Sequence, residues 1–175
     1  MPPTVFIIGT SHAYQFGEGA VFGETTCSPE KAILFRSLLI SLCEQHRIRG
    51  IGEELSVDTL SEMNRAESIP NIVAASRSLP HRYCDPDQLE RANLGIRDEN
   101  YICAIGQMSR APLGQIEQEI YVERRKREPY WLNQLNQLNA WPTLFVCGAW
   151  HVPSFSSLLR ESGVLAKVVV EDWGA

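Results

Sequence analysis

The sequence Val5-Phe6-Ile7-Ile8-Gly9-Thr10-Ser11-His12 carries a histidine three residues after the glycine that ends a short apolar run. The same pattern recurs near the other end of the chain, in Leu144-Phe145-Val146-Cys147-Gly148-Ala149-Trp150-His151. The chain has 12 glycines and four histidines among 175 residues. Random placement of these residues would give about 0.27 Gly-x-x-His motifs. Two motifs, each behind an apolar run of strand length, predict two buried strands that end in a glycine turn and a histidine.

The predicted strand ends bring histidines and carboxylates to one place. In an open parallel sheet, ligands bind at the edge formed by the carboxyl ends of the strands. His12 and His151 are therefore predicted to share one site. A further predicted strand, 48–54, ends in Glu53 and Glu54. Because side chains alternate across a strand, these two carboxylates are not expected to face the site together.

Predicted strands alternate with predicted helices along the chain. The predicted strands cover residues 4–9, 48–54, 81–84, 143–147 and 166–170. The predicted helices cover residues 28–46, 58–79 with an interruption at Pro70, 87–94, 115–138 and 153–161, whereas 96–112 shows no clear pattern. This order predicts an α/β fold, one domain over 1–175 with a mostly parallel central sheet and helices on both faces. The valine-rich strand 166–170 is predicted to be covered on both faces.

Composition argues against several classes of partner. The net charge of −5 and the pI of about 5.4 disfavour nucleic-acid binding, and the basic run 124–127 is interpreted as a solvated helix face. No apolar stretch is long enough to span a membrane, and the N-terminus lacks the basic region of a signal peptide. Five cysteines without a Cys-x-x-Cys pair suit a reducing compartment. We therefore predict a cytoplasmic protein that acts on a small molecule or a peptide, with no nucleic-acid or membrane partner.

Two histidines and one carboxylate form a common ligand set for a divalent metal ion such as Zn, Mn or Fe. His12, His151 and Glu54 are the predicted metal ligands. A carboxylate that does not bind the metal, Glu53 or Glu54, could act as general base toward a metal-bound water. Asp85 follows another predicted strand and could be a further metal ligand or a partner of a histidine. An Asx turn before the next proline explains Asp85 equally well.

Four short motifs follow one another in a characteristic order along the chain. They are Gly9–His12, Glu54-Leu55, Arg127-Glu128-Pro129-Tyr130-Trp131, and Leu144–His151 followed by Val152-Pro153. This series resembles the TraB/Tiki and erythromycin-esterase/ChaN-like superfamily over nearly the whole chain. The sequence departs from the family pattern at Trp131, where the family usually has methionine.

The resemblance implies a compact α/β domain with a His/Glu/Arg cluster at the C-terminal edge of the sheet. Members of the superfamily include metal-dependent proteases, esterases, and haem- or iron-binding proteins. At its position in the family motif, Arg127 would bind a substrate carboxylate or phosphate, or stabilise a developing oxyanion.

These observations leave three hypotheses open. The first is a small metal-dependent hydrolase, peptidase-like or esterase-like, with a His/Glu/His site at the strand edge. The second is a metal-free esterase-like hydrolase in which the same residues act as acids and bases. The third is a non-enzymatic module that binds haem, iron or a metabolite.

The loop with Gly17, Gly19 and Gly23 is interpreted as a mobile loop over the site, and Arg91 as an ordinary helix charge.

Overall fold

The structure is a computed structural model that describes residues 2–174. The strands in this part of the chain are β1 (Thr4–Thr10), β2 (Val21–Phe22), β3 (Thr25–Thr26), β4 (Gly50–Glu53), β5 (His81–Tyr83), β6 (Thr143–Gly148) and β7 (Leu165–Trp173). The helices are α1 (His12–Phe16), α2 (Pro29–Gln45), α3 (Val57–Glu62), α4 (Ile69–Ser76), α5 (Gln88–Asn93), α6 (Glu99–Met108), α7 (Leu113–Leu138) and α8 (Val152–Glu161). A 3₁₀ turn, Ala149–His151, joins β6 to α8.

Five of the strands form one parallel sheet in the order β5-β4-β6-β1-β7, and β2 and β3 form a separate antiparallel hairpin. The predicted α/β fold with a mostly parallel sheet is confirmed. Thr10 of β1 lies opposite Gly148 of β6, and Glu53 of β4 lies opposite Val146. This register ends the three central strands at nearly the same level, so the residues that follow them meet at one edge.

The alternation of side chains along β1 divides the core into two layers. Phe6 and Ile8 pack against α1, α2 and α4 on one face of the sheet. Val5 and Ile7 pack on the other face against α7 and α8, with Trp131 of α7 fully buried in that layer. Burial of each large apolar side chain contributes about 1.5–3 kcal/mol. Helices therefore cover both faces of the sheet, and the two layers fix its position between them.

The predicted helix 58–79 is two helices. Ser56 caps α3, and Ser68 caps α4 by accepting a hydrogen bond from the backbone N–H of Asn71 at 3.1 Å. Pro70 lies in the first turn of α4, where its missing N–H costs no helical hydrogen bond. The proline therefore helps to start a helix, and the predicted interruption is instead a boundary between two helices.

The strand predicted over 166–170 is covered on both faces, because Val169 and Val170 pack against one core layer and Ala166 and Val168 pack against the other. β7 is an edge strand of the sheet, and Val168, Val169 and Val170 are only half-buried. β-Branched residues suit an extended backbone whether or not both faces are covered. Valine content alone therefore did not predict the position of this strand in the sheet.

The segment without a clear sequence pattern contains α6. Asp98 caps this helix by accepting hydrogen bonds from the backbone N–H groups of Asn100 and Tyr101. Gly106 disrupts the helical pattern in the sequence, but a Cβ there would lie 2.6 Å from the Ile116 side chain. The glycine allows α6 to pack closely on α7.

In the part of the chain that the structure describes, no helix has the length and apolar character needed to cross a membrane.

Candidate active site

A cavity of about 640 Å³ opens at the edge where β1, β4 and β6 end. The site residues predicted from the sequence that line this cavity are His12, Glu54, Asp85, Arg127 and His151. Both Gly-x-x-His motifs contribute to this cavity, as the sequence predicted. Ser11 caps α1, so His12 is the first residue of that helix, and His151 ends the 3₁₀ turn after β6.

Glu54 lies at the centre of the site and is 2% exposed. Its Oε1 accepts a hydrogen bond from Arg127 Nη2 and lies 3.4 Å from His151 Nε2 and 3.7 Å from His12 Nε2. Its Oε2 accepts a hydrogen bond from the backbone N–H of Gly148 at 2.7 Å. Burial raises the pKa of Glu54, but His151, Arg127, His12 and the Gly148 N–H together outweigh it and lower the pKa to about 2. Glu54 is therefore ionised at neutral pH.

The ring of His12 is oriented by a residue of its own helix. Gln15 is fully buried, and its Nε2 donates to the carbonyl oxygen of Val146 at 3.2 Å. This bond turns Oε1 of Gln15 toward His12 Nδ1, with which it is hydrogen-bonded. Since an amide oxygen can only accept, Nδ1 carries the proton. Nε2 of neutral His12 is then unprotonated and faces Glu54.

The ring of His151 is held at both nitrogens. Its Nδ1 is 3.0 Å from Glu128 Oε1, which also accepts a hydrogen bond from Ser154 Oγ. Its Nε2 lies 2.9 Å from Arg127 Nη2. Because a guanidinium only donates, Nε2 of neutral His151 accepts from Arg127, and Nδ1 donates to Glu128. In this arrangement His151 positions Arg127 and has no free nitrogen.

Arg127 joins most of these groups. Besides Glu54 and His151, it places Nη1 3.5 Å from Asp85 Oδ2, and its guanidinium lies 5.3 Å from the centre of the Trp131 ring. Burial lowers the pKa of Arg127, but the carboxylates of Glu54, Asp85 and Glu99 raise it above the ordinary value. The guanidinium is therefore a permanent positive charge at the base of the cavity.

Asp85 is a second carboxylate beside the Arg127 guanidinium. Its Oδ1 accepts a hydrogen bond from Trp131 Nε1 at 2.8 Å, and its Oδ2 is bound by Arg91 and lies near Arg127. Both oxygens are thus engaged by neighbouring side chains. The interpretation of Arg91 as an ordinary helix charge is wrong, since Arg91 binds a residue of the site.

Glu53 does not line the cavity, although the sequence made it a candidate catalytic residue. It is fully buried on the opposite face of β4, where Oε1 lies 2.7 Å from His81 Nε2 and accepts a hydrogen bond from Ser68 Oγ. The alternation of side chains along the strand explains this separation. Of the two adjacent carboxylates, the structure brings only Glu54 to the histidines.

Two residues of the site were missed from the sequence. Glu128 was counted only as part of a motif, yet it binds His151, which lies 23 residues further along the chain. No motif in the sequence contains Gln15. Its position three residues after His12 was a usable signal, because residues three apart on a helix are neighbours.

The predicted metal ligands can be compared with the needs of a divalent ion. Arg127 Nη2 lies against both Glu54 Oε1 and His151 Nε2, so a permanent positive charge occupies the position between two of the predicted ligands. The oxygens of Asp85 are also engaged. Among residues 2–174, no group of three or more His, Cys, Asp or Glu side chains is arranged to hold a metal ion. The side chains as arranged do not fit a divalent ion, and the metal site stays a prediction for metal analysis to test.

No family model matches the chain, and neither a curated protein nor a solved structure matches it. The resemblance to the TraB/Tiki and erythromycin-esterase/ChaN-like superfamily therefore stays a prediction that depends on the four motifs. The chemistry of the site has to be argued from its own residues.

Proposed function

We propose that the protein is a cytoplasmic hydrolase that cleaves an ester or amide bond in a small molecule or peptide without a metal ion. The observation that carries the proposal is the orientation of the His12 ring and the nitrogen that it leaves unprotonated. Its Nδ1 is fixed by Gln15, and its Nε2 is free beside the ionised Glu54 at the base of a cavity. An imidazole nitrogen in this position is suited to act as a general base.

Water is the proposed nucleophile. Cys147 is fully buried, and burial, together with the carboxylates of Glu54 and Glu128, raises the pKa of its thiol well above the ordinary value. Ser11 uses its hydroxyl to cap α1, accepting from the backbone N–H of Ala13 at 3.3 Å. These two residues are therefore poor nucleophiles in the folded protein, whereas a water beside His12 can be activated by proton transfer.

The proposed reaction begins when Nε2 of His12 takes a proton from water and the water oxygen attacks the substrate carbonyl carbon. The carbonyl oxygen becomes negatively charged, and the Arg127 guanidinium stabilises it through an N–H of Nη1 that Asp85 does not use. Glu54 stabilises the imidazolium of His12. The oxyanion then re-forms the carbonyl group, the C–O or C–N bond to the leaving group breaks, and His12 gives its proton to the departing alcohol or amine, which leaves a carboxylic acid.

The test is hydrolysis of nitrophenyl esters and nitroanilides by the purified protein, with EDTA and with added Zn²⁺ or Mn²⁺. We expect activity that EDTA does not reduce. His12→Asn should lower kcat by about 10²–10⁴-fold. His46→Asn is the matched control, because His46 stacks on Phe6 and does not line the cavity.

Three results would contradict the proposal. Full activity in His12→Asn would remove the general base from the mechanism. Loss of activity in EDTA, reversed by Zn²⁺ or Mn²⁺, would favour the metal-dependent hydrolase predicted from the sequence. No hydrolysis of any ester or amide would argue for a binding module.

A further inference from the structure

Two exposed aromatic side chains flank the proposed catalytic residues. The chain contains six phenylalanines and four tryptophans. Of these ten, only Phe22 and Trp150 are exposed, at 47% and 84%, and both line the cavity. Exposed aliphatic side chains such as Met108 and Leu113 lie elsewhere on the surface, so it is the exposed phenylalanine and tryptophan rings that are confined to the cavity.

Each of these aromatics is attached to one of the two histidine segments. Phe22 lies on the β2–β3 hairpin, and its ring meets the His12 ring edge-on, with 4.8 Å between the centres. Trp150 immediately precedes His151 in the 3₁₀ turn. A group bound against the Phe22 ring would therefore lie beside His12, the proposed general base, and Trp150 offers a second ring in the same cavity.

The charges around the cavity favour a cation over an anion. Four arginines line it, and each forms an ion pair with a carboxylate. The seven lining carboxylates are Glu54, Glu62, Asp85, Asp98, Glu99, Glu123 and Asp172. Among the described residues, Glu62, Asp98 and Asp172 form no ion pair. The cavity thus has an excess of negative charge, which attracts cations and repels anions.

We infer that the cavity binds substrates carrying an alkylammonium group, and that Phe22 and Trp150 hold this group. The inference rests on the proposed hydrolase and names its substrate class, an ester or amide with a tertiary or quaternary ammonium in its acyl or alcohol part. Aromatic faces attract such cations, and the attraction grows as the cation is removed from water. The unpaired carboxylates add a longer-range attraction that an uncharged substrate would not feel.

The test uses three small probes of nearly the same shape that the protein cannot hydrolyse. Choline is the cation, 3,3-dimethylbutan-1-ol replaces its nitrogen with carbon, and 3,3-dimethylbutanoate is an anion of similar size. Binding is measured by calorimetry and by tryptophan fluorescence. We expect choline to bind at least about tenfold more tightly than the neutral alcohol and the anion to show no binding.

Three variants assign the binding to the named groups. Trp150→Ala and Phe22→Ala should each weaken choline binding by about three- to tenfold. Asp172→Asn should weaken choline binding but not binding of the neutral alcohol. Tyr101→Ala is the matched control, because Tyr101 is an exposed aromatic that does not line the cavity.

The outcomes separate this inference from the proposed function. Equal affinity for choline and its neutral isostere would overturn the charge preference, and unchanged binding in both Trp150→Ala and Phe22→Ala would overturn the aromatic site. Choline binding without hydrolysis of any ester would support the ligand class and contradict the hydrolase. Hydrolysis with no preference for ammonium esters would support the hydrolase and contradict the ligand class.

Discussion

Glu53 and Glu54 are neighbours in sequence, are almost completely buried, and face opposite sides of the sheet. Glu54 opens to a cavity and has three basic side chains around one of its oxygens. Glu53 faces the closed interior, where His81 and Ser68 bind one oxygen. The other oxygen of Glu53 has no hydrogen-bond partner among the described residues. A buried carboxylate is therefore a candidate for catalysis only when its partners are also accessible to a substrate.

Replacing each carboxylate by its amide should separate the two sides of β4 most clearly. Glu54→Gln removes the charge that stabilises the His12 imidazolium, so kcat should fall by about 10²–10⁴-fold. Glu53→Gln should change kcat by less than about threefold, because Glu53 does not contact the cavity. Steady-state kinetics on the best ester measures both. Equal losses in the two variants would show that the two faces of β4 are not functionally distinct.

The buried, ionised Glu54 should make the fold sensitive to acid. The pKa of Glu54 is lowered to about 2 in the folded protein, compared with about 4.3 in an unfolded chain. Ionised Glu54 therefore stabilises the fold fully at a pH above its pKa in the unfolded chain. This stabilisation is lost as the pH falls through its pKa in the folded protein. Between pH 5 and pH 2, the native protein should lose about 3 kcal/mol more free energy of unfolding than Glu54→Gln. Urea unfolding at each pH provides the measurement, and identical pH dependence of the two proteins would argue against a stabilised carboxylate.

The contribution of the Glu53 side of β4 to stability can be measured by replacing Ser68. This hydroxyl donates to Glu53 and caps α4, so Ser68→Ala should lower the free energy of unfolding by about 2 kcal/mol. Ser28→Ala is the control, because Ser28 caps α2 without contacting a buried carboxylate; its loss should be about 1 kcal/mol. The kcat of Ser68→Ala should stay within about twofold of the native value. A large fall in kcat would mean that the Glu53 cluster positions Glu54.

Gln15 orients the His12 ring, and its replacement should lower activity less than the loss of Glu54. Gln15→Leu keeps the size of the side chain but removes the acceptor for Nδ1, so kcat should fall by about tenfold. The free energy of unfolding should change less than in Ser68→Ala, because the Val146 carbonyl oxygen that Gln15 binds keeps its hydrogen bond from the Glu54 N–H and the His12 ring remains partly exposed. Gln107→Leu, at an exposed position of α6, is the control. An unchanged kcat in Gln15→Leu would remove Gln15 from the proposed mechanism.

The strand-end residues were predictable because their signals are local. An apolar run followed by glycine identified β1 and β6, and the alternation rule correctly separated Glu53 from Glu54. The parallel order then brought His12 and His151 to one edge. These parts of the fold and the site follow from short stretches of sequence and from the general geometry of parallel sheets.

Other parts of the site depend on packing between distant segments. Arg127 belongs to a run of four basic residues that resembles a solvated helix face, yet its side chain is only 13% exposed and lies beside Trp131. The spacing of Arg127, Trp131 and Leu135 on one face of α7 was an available signal, because residues four apart share a helix face. The pairing of His151 with Glu128 and the edge position of β7 required knowledge of which elements meet in three dimensions.

Gly148 has a consequence for how this site can change in evolution. A Cβ at this position would lie 3.3 Å from Glu54 Oε2 and 3.4 Å from His12 Nε2, so the glycine of the second motif makes room for the histidine of the first. Substitutions at the two motifs are therefore epistatic: the cost of a larger residue at 148 depends on which residues stand at 12 and 54. A lineage that keeps His12 and Glu54 can accept a Cβ at 148 only if these side chains move by a few tenths of an ångström, whereas one that has lost them does not need this movement.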